Sequence, residues 1–396
     1  MSKKLKKNVP QLRFPEFEGD WKESKLNKLI NLISGQHLSP NEYSLEIGEV
    51  PYFTGPSDFT NQVEALTKWT ALSDKSGQQG DILITVKGNG VGEMLMLKLP
   101  NVVIGRQLMA IRPITVVGEI VYYKLFNYKQ ELQALASGNV IPGLSRSALL
   151  NIKIYLPNIA EQEKIASFLG AVDTRLNQLR RKWEILQTYK RGVIQKIFSQ
   201  KIRFQDANDS PFPDWEKKKL REITKINQGL QIAISDRLTY QVEGSYFYIT
   251  NEFLKPDSQT RYYILNPPKR VICEKDDILM TRTGNTGQVV TDVVGAFHNN
   301  FFKISYDRNK INKKFLLEFL RRYTTQHKIL SLAGTSTIPD LNHDDFYNLE
   351  IFIPVSVEQE KIANFLTAID CKIEILTRQI DQTEQFKKGL LQKMFV

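Results

Sequence analysis

The sequence predicts an α+β fold in which two mixed α/β domains are joined by two long antiparallel coiled-coil helices, with an internal pseudo-two-fold repeat. Three observations support this prediction: 396 residues are too many for one ordinary core, the second half of the chain repeats the first, and each repeat ends in apolar residues at heptad spacing. The predicted parts are a first domain at 1–155, a central spacer helix at 156–200, a second domain at 201–354 and a C-terminal spacer helix at 355–396.

The repeat is clearest in the segments that close each half of the chain. Residues 156–199 align without a gap onto 353–396, and both blocks contain Glu-Gln-Glu-Lys-Ile-Ala followed by Gln-Lys-x-Phe. The preceding segments resemble each other more thinly, which suggests two similar tasks with different specificities. The recurring positions there include Trp21, Leu26 and Gly35 (Trp215, Leu220 and Gly229), Asp81–Thr85 (Asp277–Thr281), Gly88–Asn89 (Gly284–Asn285) and the Ile-Pro-x-Leu element at 141–144 (338–341).

Each repeated block predicts one long helix. Its apolar residues alternate spacings of four and three, and within the block no proline follows Pro157 or Pro354. If the helices pack on one another to bury these seams, they must be antiparallel, and the second returns the chain to the first domain. The alternative is that each helix packs on its own domain. The predicted seam residues are Ile165, Leu169, Val172, Leu176 and Leu179, then Ile362, Leu366, Ile369, Ile373 and Leu376, with interruptions at Lys190, Thr383 and Lys387.

The segments before each long helix contain short β-like runs followed by glycine-rich turns. They predict a curled mixed sheet with flanking helices in each domain. Helices are expected at 119–135 and 312–332, where phenylalanine and leucine recur at helical spacing. The predicted strands are Asp81–Val86, Val102–Ile104, Asp277–Thr281, Val289–Val290 and Phe301–Ile304.

Charge and cysteine content restrict the class of protein. The chain has 54 basic and 43 acidic residues, a net charge of +11, which favours a polyanionic partner, either nucleic acid or an anionic membrane surface. No run of about 18 apolar residues predicts a membrane-spanning helix, and Met-Ser-Lys-Lys-Leu-Lys-Lys at the start lacks the apolar stretch of a secretory signal. Cys273 and Cys371 have no motif spacing, so a reduced, cytoplasmic protein without a metal site is predicted.

Two turns are the first candidates for DNA contact. In Lys87-Gly-Asn-Gly90 and Arg282-Thr-Gly-Asn-Thr-Gly287, glycine lets the backbone approach a groove, while Lys, Arg and Asn carry donors that read guanine or adenine edges. The alternative is an ordinary hairpin turn, which Gly-Asn also favours. The predicted DNA-binding residues are Lys87, Gly88, Asn89, Arg282, Thr283, Gly284 and Asn285, followed in rank by Arg106, Gln107, His298, Asn299 and Asn300.

No catalytic residue is predicted. Asn266-Pro-Pro268 is similar to the tetrapeptide of adenine methyltransferases, but Lys269 stands where an aromatic residue would stack on a flipped base. Gly88-x-Gly-x-Gly92 lacks a following helix start, and its counterpart at 284–287 has lost the pattern. No Walker loop appears in the sequence, and no Ser/His/Asp set recurs in both copies.

Taken together, these residues resemble the specificity subunits of type I restriction–modification enzymes over essentially the whole chain. The resemblance depends on elements that occur twice, each weak alone and specific together. They are Pro-x-x-x-Glu-Gln-Glu-Lys-Ile-Ala (157–166 and 354–363), Gln-Lys-x-Phe (195–198 and 392–395), Ile-Pro-x-Leu (141–144 and 338–341), and the Arg-Phe and Asp-Trp pairs at 13–21 and 203–215.

The resemblance implies two target-recognition domains, each reading one half of a bipartite, asymmetric site in double-stranded DNA. It implies that the helices act as a spacer and as the docking surface for two methyltransferase subunits, which restriction/translocase subunits then join. S-adenosylmethionine, ATP and Mg would belong to those partners, with no cofactor in this chain. Two other hypotheses stay open: a self-contained fused restriction or methyltransferase enzyme, and a coiled-coil scaffold whose end domains bind proteins.

Overall fold

A computed structural model of the chain describes residues 8–71, 74–136, 143–255, 257–334 and 339–396. They form two compact units. The first comprises the chain up to Arg180 together with Arg378–Val396, and the second comprises Arg181–Thr377. Each unit thus contains one of the two mixed α/β domains and segments of both long helices. These two domains are called variable domains, because they differ more in sequence than the long helices do. Within the described ranges, no helix has the length and apolar character needed to cross a membrane.

The first variable domain has ten strands and three short helices before the first long helix. In chain order, the elements are β1 (Lys22–Lys25), β2 (Ile30–Ser34), β3 (Val50–Phe53), β4 (Trp69–Thr70), β5 (Ser76–Gln78), β6 (Ile82–Thr85), β7 (Met94–Met96), β8 (Asn101–Ile104), β9 (Leu108–Pro113), α1 (Gly118–Asn127), α2 (Lys129–Ala136), α3 (Arg146–Leu150), β10 (Lys153–Leu156) and the long helix α4 (Ile159–Phe198).

The second variable domain repeats this order, with a short α-helix where the first has a 3₁₀ turn at Leu26–Lys28. Its elements are β11 (Glu216–Lys219), α5 (Leu220–Ile223), β12 (Thr224–Gln228), β13 (Ser245–Ile249), β14 (Tyr262–Leu265), β15 (Ile272–Cys273), β16 (Ile278–Thr281), β17 (Val289–Val290), β18 (Gly295–Phe297), β19 (Phe301–Tyr306), α6 (Lys313–Arg321), α7 (Tyr323–Leu332), α8 (His343–Tyr347), β20 (Glu350–Ile353) and the long helix α9 (Ser356–Met394).

Both units have the same sheet topology. The first has an antiparallel sheet in the order β2-β9-β6-β7, a mixed sheet in the order β4-β3-β8-β5 whose β3–β8 pair is parallel, and the ribbon β1-β10. The second has β12-β19-β16-β17, β14-β13-β18-β15 with a parallel β13–β18 pair, and β11-β20. The prediction of one curled sheet per domain was therefore wrong, because the chain turns sharply at 105–107 and 298–300 and enters another sheet.

The strands predicted in the variable domains are all present, but each of the two helices predicted there is broken into two. The helix expected at 119–135 ends at Asn127 and restarts at Lys129, and the one expected at 312–332 breaks at Arg322. Arg322 has an extended backbone (ψ 146°), and its guanidinium lies 4.7 Å from the ring centroid of Phe319 and 5.1 Å from that of Phe198. A tertiary cation–π contact therefore accompanies the break, and helical periodicity does not reveal such a contact.

The two long helices contribute to both cores. In the first unit, Ile165 and Leu169 of α4 share a cluster with Leu390 and Met394 of α9. In the second unit the roles are exchanged, since α4 contributes the end of its sequence and α9 its beginning. Inside each unit the helices therefore run antiparallel, and each seam packs on the other helix as well as on a domain. The predicted seam residues are buried except Val172 and Ile373, which are half-buried.

Two seam lysines that interrupt the apolar pattern are paired across the helices. Lys190 Nζ lies 2.6 Å from Asp370 Oδ1 in the second unit. At the matching positions of the repeat, Lys387 Nζ lies 2.5 Å from Asp173 Oδ1 in the first unit. A charged residue in a packed seam needs such a partner, and a polar pair of this kind also fixes helix register.

The repeated Glu-Gln pair explains why the start of each long helix is so similar. The buried Glu161 carboxylate accepts hydrogen bonds from Arg13 Nε (2.8 Å), a second Arg13 nitrogen (2.7 Å) and Trp21 Nε1 (3.3 Å). Its counterpart Glu358 accepts from Arg203 (3.2 and 2.9 Å) and Trp215 (3.0 Å). The carboxylate raises the pKa of each arginine through this hydrogen bond. Each glutamate thus fastens the segment that precedes β1 or β11.

The neighbouring glutamine fastens a second segment. Gln162 Nε2 donates to Pro157 O at 2.9 Å, and its Oε1 accepts from Val117 N–H, at the start of α1, at 3.1 Å. Gln359 does the same with Pro354 O (2.9 Å) and with Asn312 N–H (2.8 Å) at the start of α6. The motif therefore ties the long helix to two separate parts of its own unit.

Candidate DNA interface

In each unit the structure brings together two turns that are distant in sequence. The turn after β6 and the turn after β8 meet in the first unit, where Val86 N–H donates to Gln107 O at 2.8 Å. In the second unit, Arg282 N–H donates to Asn300 O at 2.6 Å. The first- and second-rank candidates of each domain therefore lie side by side.

A third segment, the Ile-Pro-x-Leu element, docks on the same residue of each turn. Leu144 N–H donates to Val86 O at 2.8 Å, and Leu341 N–H donates to Arg282 O at 3.0 Å. Both leucines are buried, which anchors the element to the core. At the variable x position, Gly143 forms a bridge with Lys87 and Asp340 one with Thr283. Residues 141, 142 and 338 of the element lie outside the described residues.

The hydrogen-bonded segments around Val86, and those around Arg282, form a similar backbone frame in each unit. A recurring glycine brings the end of β2 or β12 against this frame. A Cβ on Gly35 would lie 2.1 Å from Gly105 O, and one on Gly229 would lie 2.2 Å from His298 O. Both distances are too short for any side chain, so only glycine allows this close approach. Gln36 N–H donates to Ile104 O at 2.9 Å beside the contact.

The tips of the turns differ between the units. In the first, Gly88 has a left-handed backbone (φ +87°). In the second, both Gly284 (φ +61°) and Asn285 (φ +43°) are left-handed, and asparagine tolerates this region better than most residues. A common hydrogen-bond frame thus presents two differently shaped tips.

The candidates of the first unit form an exposed polar surface. Lys87, Asn89, Arg106 and Gln107 are all exposed. Among the described residues, neither Lys87 nor Arg106 has an ion-pair partner. This surface therefore presents two cations and two amides to solvent, which are donors suited to base edges and phosphates.

In the second unit, two of the candidate side chains, those of Arg282 and Thr283, are engaged by the same carboxylate. Arg282 donates from Nε and one terminal nitrogen to the two carboxylate oxygens of Asp340, at 2.7 Å each. Thr283 Oγ1 donates to Asp340 Oδ1 at 2.8 Å. The hydrogen bond from Arg282 lowers the pKa of the Asp340 carboxyl, partly opposed by desolvation. Asn285 at the tip is exposed.

Asn299 and Asn300 are half-buried in a local network rather than exposed. Asn299 Nδ2 donates to Gln231 Oε1 at 3.0 Å, while its Oδ1 is buried without a hydrogen-bond partner. Asn300 N–H donates to His298 Nδ1 at 3.1 Å, and burial lowers the pKa of that histidine.

Several polar residues beside the two turns of the second unit were not predicted from the sequence. Asn251 Nδ2 donates to Thr283 O at 2.9 Å. Gln228 Nε2 donates to Asn299 O, and its Oε1 lies 2.5 Å from His343 Nε2. Asp340 was also missed, although it stands at the x position of a repeated element where the other copy has glycine. That difference between the copies is the signal that could have found it.

Comparison with known proteins shows which family has this architecture. The family model described as the type I restriction modification DNA specificity domain matches residues 18–187 and 213–385. The specificity subunit of the type I restriction enzyme MjaVIII from Methanocaldococcus jannaschii is 24% identical, over 97% of this chain and 93% of its own length. That of EcoDI from Escherichia coli is 19% identical, over 95% and 88%.

Solved structures show the same fold. The S subunit of a type I restriction–modification system from M. genitalium has a TM-score of 0.65 and 19% identity, covering 98% of this chain and 99% of its own. A chain from a structure of complex assembly in the type I R-M system has a TM-score of 0.56 and 18% identity, covering 94% and 96%. Since the family model matches most of the chain in two copies, this protein belongs to the type I restriction–modification DNA specificity family.

Proposed function

We propose that this chain recognises DNA sequence within a type I restriction–modification complex, and that each unit reads one half of a bipartite, asymmetric site. One observation carries this most strongly: the same backbone frame, built on Val86 and Arg282, recurs in both units and presents different side chains. A fixed frame with variable donors is suited to reading two different half-sites, since base edges in the major groove are distinguished by donor and acceptor pattern.

We further propose that the long helices set the gap between the half-sites and dock two methyltransferase subunits, which restriction/translocase subunits then join. Exposed apolar side chains on these helices support docking, because such groups gain by burial against a partner. They include Ile185, Tyr189, Ile375 and Phe386. Methylation and ATP-dependent cleavage, with S-adenosylmethionine, ATP and Mg, would then belong to the partners.

The alternatives make different predictions for the purified chain. A fused enzyme would transfer methyl groups from S-adenosylmethionine to DNA without any partner. A coiled-coil scaffold would bind proteins and show no salt-sensitive binding to duplex DNA. Two observations favour a specificity subunit. The chain belongs to that family, and Lys269 follows Asn266-Pro-Pro268 where the methyltransferase tetrapeptide has an aromatic residue.

Exchanging residues 15–155 for the corresponding domain of another family member should change one half of the methylated motif and leave the other intact. The reason is that the frame around each turn is built from residues of its own unit. Methylome sequencing of a host that expresses the hybrid with its partner subunits gives the motif directly. Exchange of residues 210–352 serves as the reciprocal control, and a motif altered in both halves by either exchange would contradict independent reading.

Replacing Lys87 and Asn89 with alanine should alter recognition of one half-site, and replacing Arg282 and Asn285 should alter the other. A lost bidentate base contact typically costs ~1–3 kcal/mol of discrimination. Equilibrium binding to duplexes that differ by single base pairs measures this, with Lys22→Ala, an exposed lysine on β1, as a charge-matched control for Lys87. Equal weakening on every sequence would mean that the turns contact phosphates and do not read bases.

A further inference from the structure

An ion pair holds Arg282 at the base of the second turn, at a position where the first unit has no charge. The matching residue of the first unit is Val86, whose side chain is 1% exposed. Arg282 stays partly open to solvent, with 32% of its side chain exposed. Its partner Asp340 occupies the x position of the Ile-Pro-x-Leu element, where the first unit has Gly143. Arginine and aspartate thus occur together in one copy and are both absent from the other.

The geometry of the pair leaves one edge of the guanidinium free. A guanidinium has five N–H donors in a rigid plane. Asp340 takes the Nε hydrogen and one hydrogen of a terminal nitrogen, through two contacts of 2.7 Å. The remaining hydrogens lie on the two terminal nitrogens and point away from the carboxylate. They form a second fork, of the kind that matches O6 and N7 of guanine.

The charge of the pair argues for a base contact over a phosphate contact. The Asp340 carboxylate neutralises Arg282 and would itself repel a nearby phosphate. Thr283 Oγ1 donates to the same carboxylate at 2.8 Å, which holds the aspartate in place against the turn. A guanidinium held in one orientation also loses less conformational freedom when it binds a planar acceptor pair.

We propose that Asp340 is a specificity-determining positioning residue, which orients Arg282 so that the free edge of its guanidinium donates to one guanine of the half-site read by the second unit. This inference depends on the proposed function of that unit as a reader of duplex DNA. It also explains why the variable position of a repeated backbone element carries a charged side chain in one copy only.

The test uses the full chain assembled with its partner subunits and the site defined by methylome sequencing of the wild-type complex. Binding is measured to duplexes in which each base pair of the site is replaced in turn. The variants are Asp340→Asn, Arg282→Gln and the double variant. Asp276→Asn is the control, since it removes the same charge from an exposed ion pair with Arg308 (2.9 Å) in the same unit.

For the wild type, replacing one particular G·C pair should lower affinity by about tenfold or more. Asp340→Asn and Arg282→Gln should each reduce that ratio by about fivefold or more. The double variant should lose little beyond either single change, because both act through one contact. Asp276→Asn should leave the ratio at its wild-type value, and unrelated duplexes should bind Asp340→Asn no more weakly than the wild type.

Two results would overturn the proposal while leaving the proposed function intact. One is a sequence-specific wild type whose discrimination survives both Asp340→Asn and Arg282→Gln. The other is equal weakening of the Asp340→Asn variant on every duplex, which indicates a purely structural ion pair. A wild-type complex without any sequence preference would instead refute the proposed function itself.

Discussion

Replacing Glu161 with alanine should lower the free energy of unfolding of the first unit by about 3–5 kcal/mol, the usual cost of breaking a buried ion pair from one side. The Glu161 side chain is fully buried and that of Arg13 is 14% exposed. Removing the carboxylate leaves Arg13 Nε and the indole N–H of Trp21 without an acceptor. The terminal nitrogens of Arg13 keep only the backbone oxygens of Glu18 and Gly19. Hydrogen–deuterium exchange resolved by segment is the measurement, because the two units need not unfold in one transition.

Glu163 provides the matched control for this experiment. It lies in the same Glu-Gln-Glu motif but is exposed, so Glu163→Ala should change stability by no more than about 0.5 kcal/mol. Glu358→Ala should destabilise the second unit in the same way and leave exchange in the first unchanged, with Glu360→Ala as its own control. Equal exchange in Glu161→Ala and wild type would contradict the role assigned to the buried carboxylate.

Replacing Gly35 with alanine should destabilise the first unit by about 3 kcal/mol or more, at the upper end for overpacking. The added methyl group would lie 2.1 Å from Gly105 O, and a backbone carbonyl cannot rotate away as a side chain can. Either β2 or the turn that carries Arg106 and Gln107 must move. We therefore expect loss of sequence discrimination by this unit together with faster hydrogen exchange in β8 and β9.

The control is Gly170→Ala on the long helix, where nothing lies within 4 Å of the added carbon. Alanine is favoured over glycine in a helix by about 1 kcal/mol, so this change should slightly raise the free energy of unfolding of the first unit. Gly229→Ala should reproduce the Gly35 result in the second unit, since its added carbon would lie 2.2 Å from His298 O. A stable Gly35→Ala variant with unchanged DNA discrimination would show that the close approach is dispensable.

Periodicity and repetition were enough to predict the two long helices, the duplication and five of the strands. The seam from Ile165 to Leu179 is visible because a long helix repeats one spacing many times. The division of each sheet was not visible, since β8 and β9 are separated only by 105–107 and look like one hairpin. The break at Arg322 was missed for a similar reason, because it accompanies ring contacts with residues far away in sequence.

The sequence was enough to select candidate residues for DNA contact, but it did not show their electrostatic partners. Turn residues such as Lys87 and Asn285 stand out through glycine and polar composition, and they are exposed. The pairing of Arg282 with Asp340 spans 58 positions and depends on where the Ile-Pro-x-Leu element docks, which no local pattern reports. In the sequence, Arg282 is one of several donors in a glycine-rich turn, and its ion-pair partner is not visible. Its base-reading role stays a prediction.

The sharing of the long helices between two cores has a consequence for the order of folding during synthesis. The second unit is one continuous stretch, Arg181–Thr377, whereas the first also requires Arg378–Val396. Leu390, Leu391 and Met394 belong to the first core, and the Phe395 ring lies 6.2 Å from that of Trp21. A ribosome therefore synthesises every residue of the second unit before it makes the last part of the first. We expect the domain that is translated first to be the last to close, because the core residues that pack on Leu390, Leu391 and Met394 stay exposed to chaperones until the end of α9 is available.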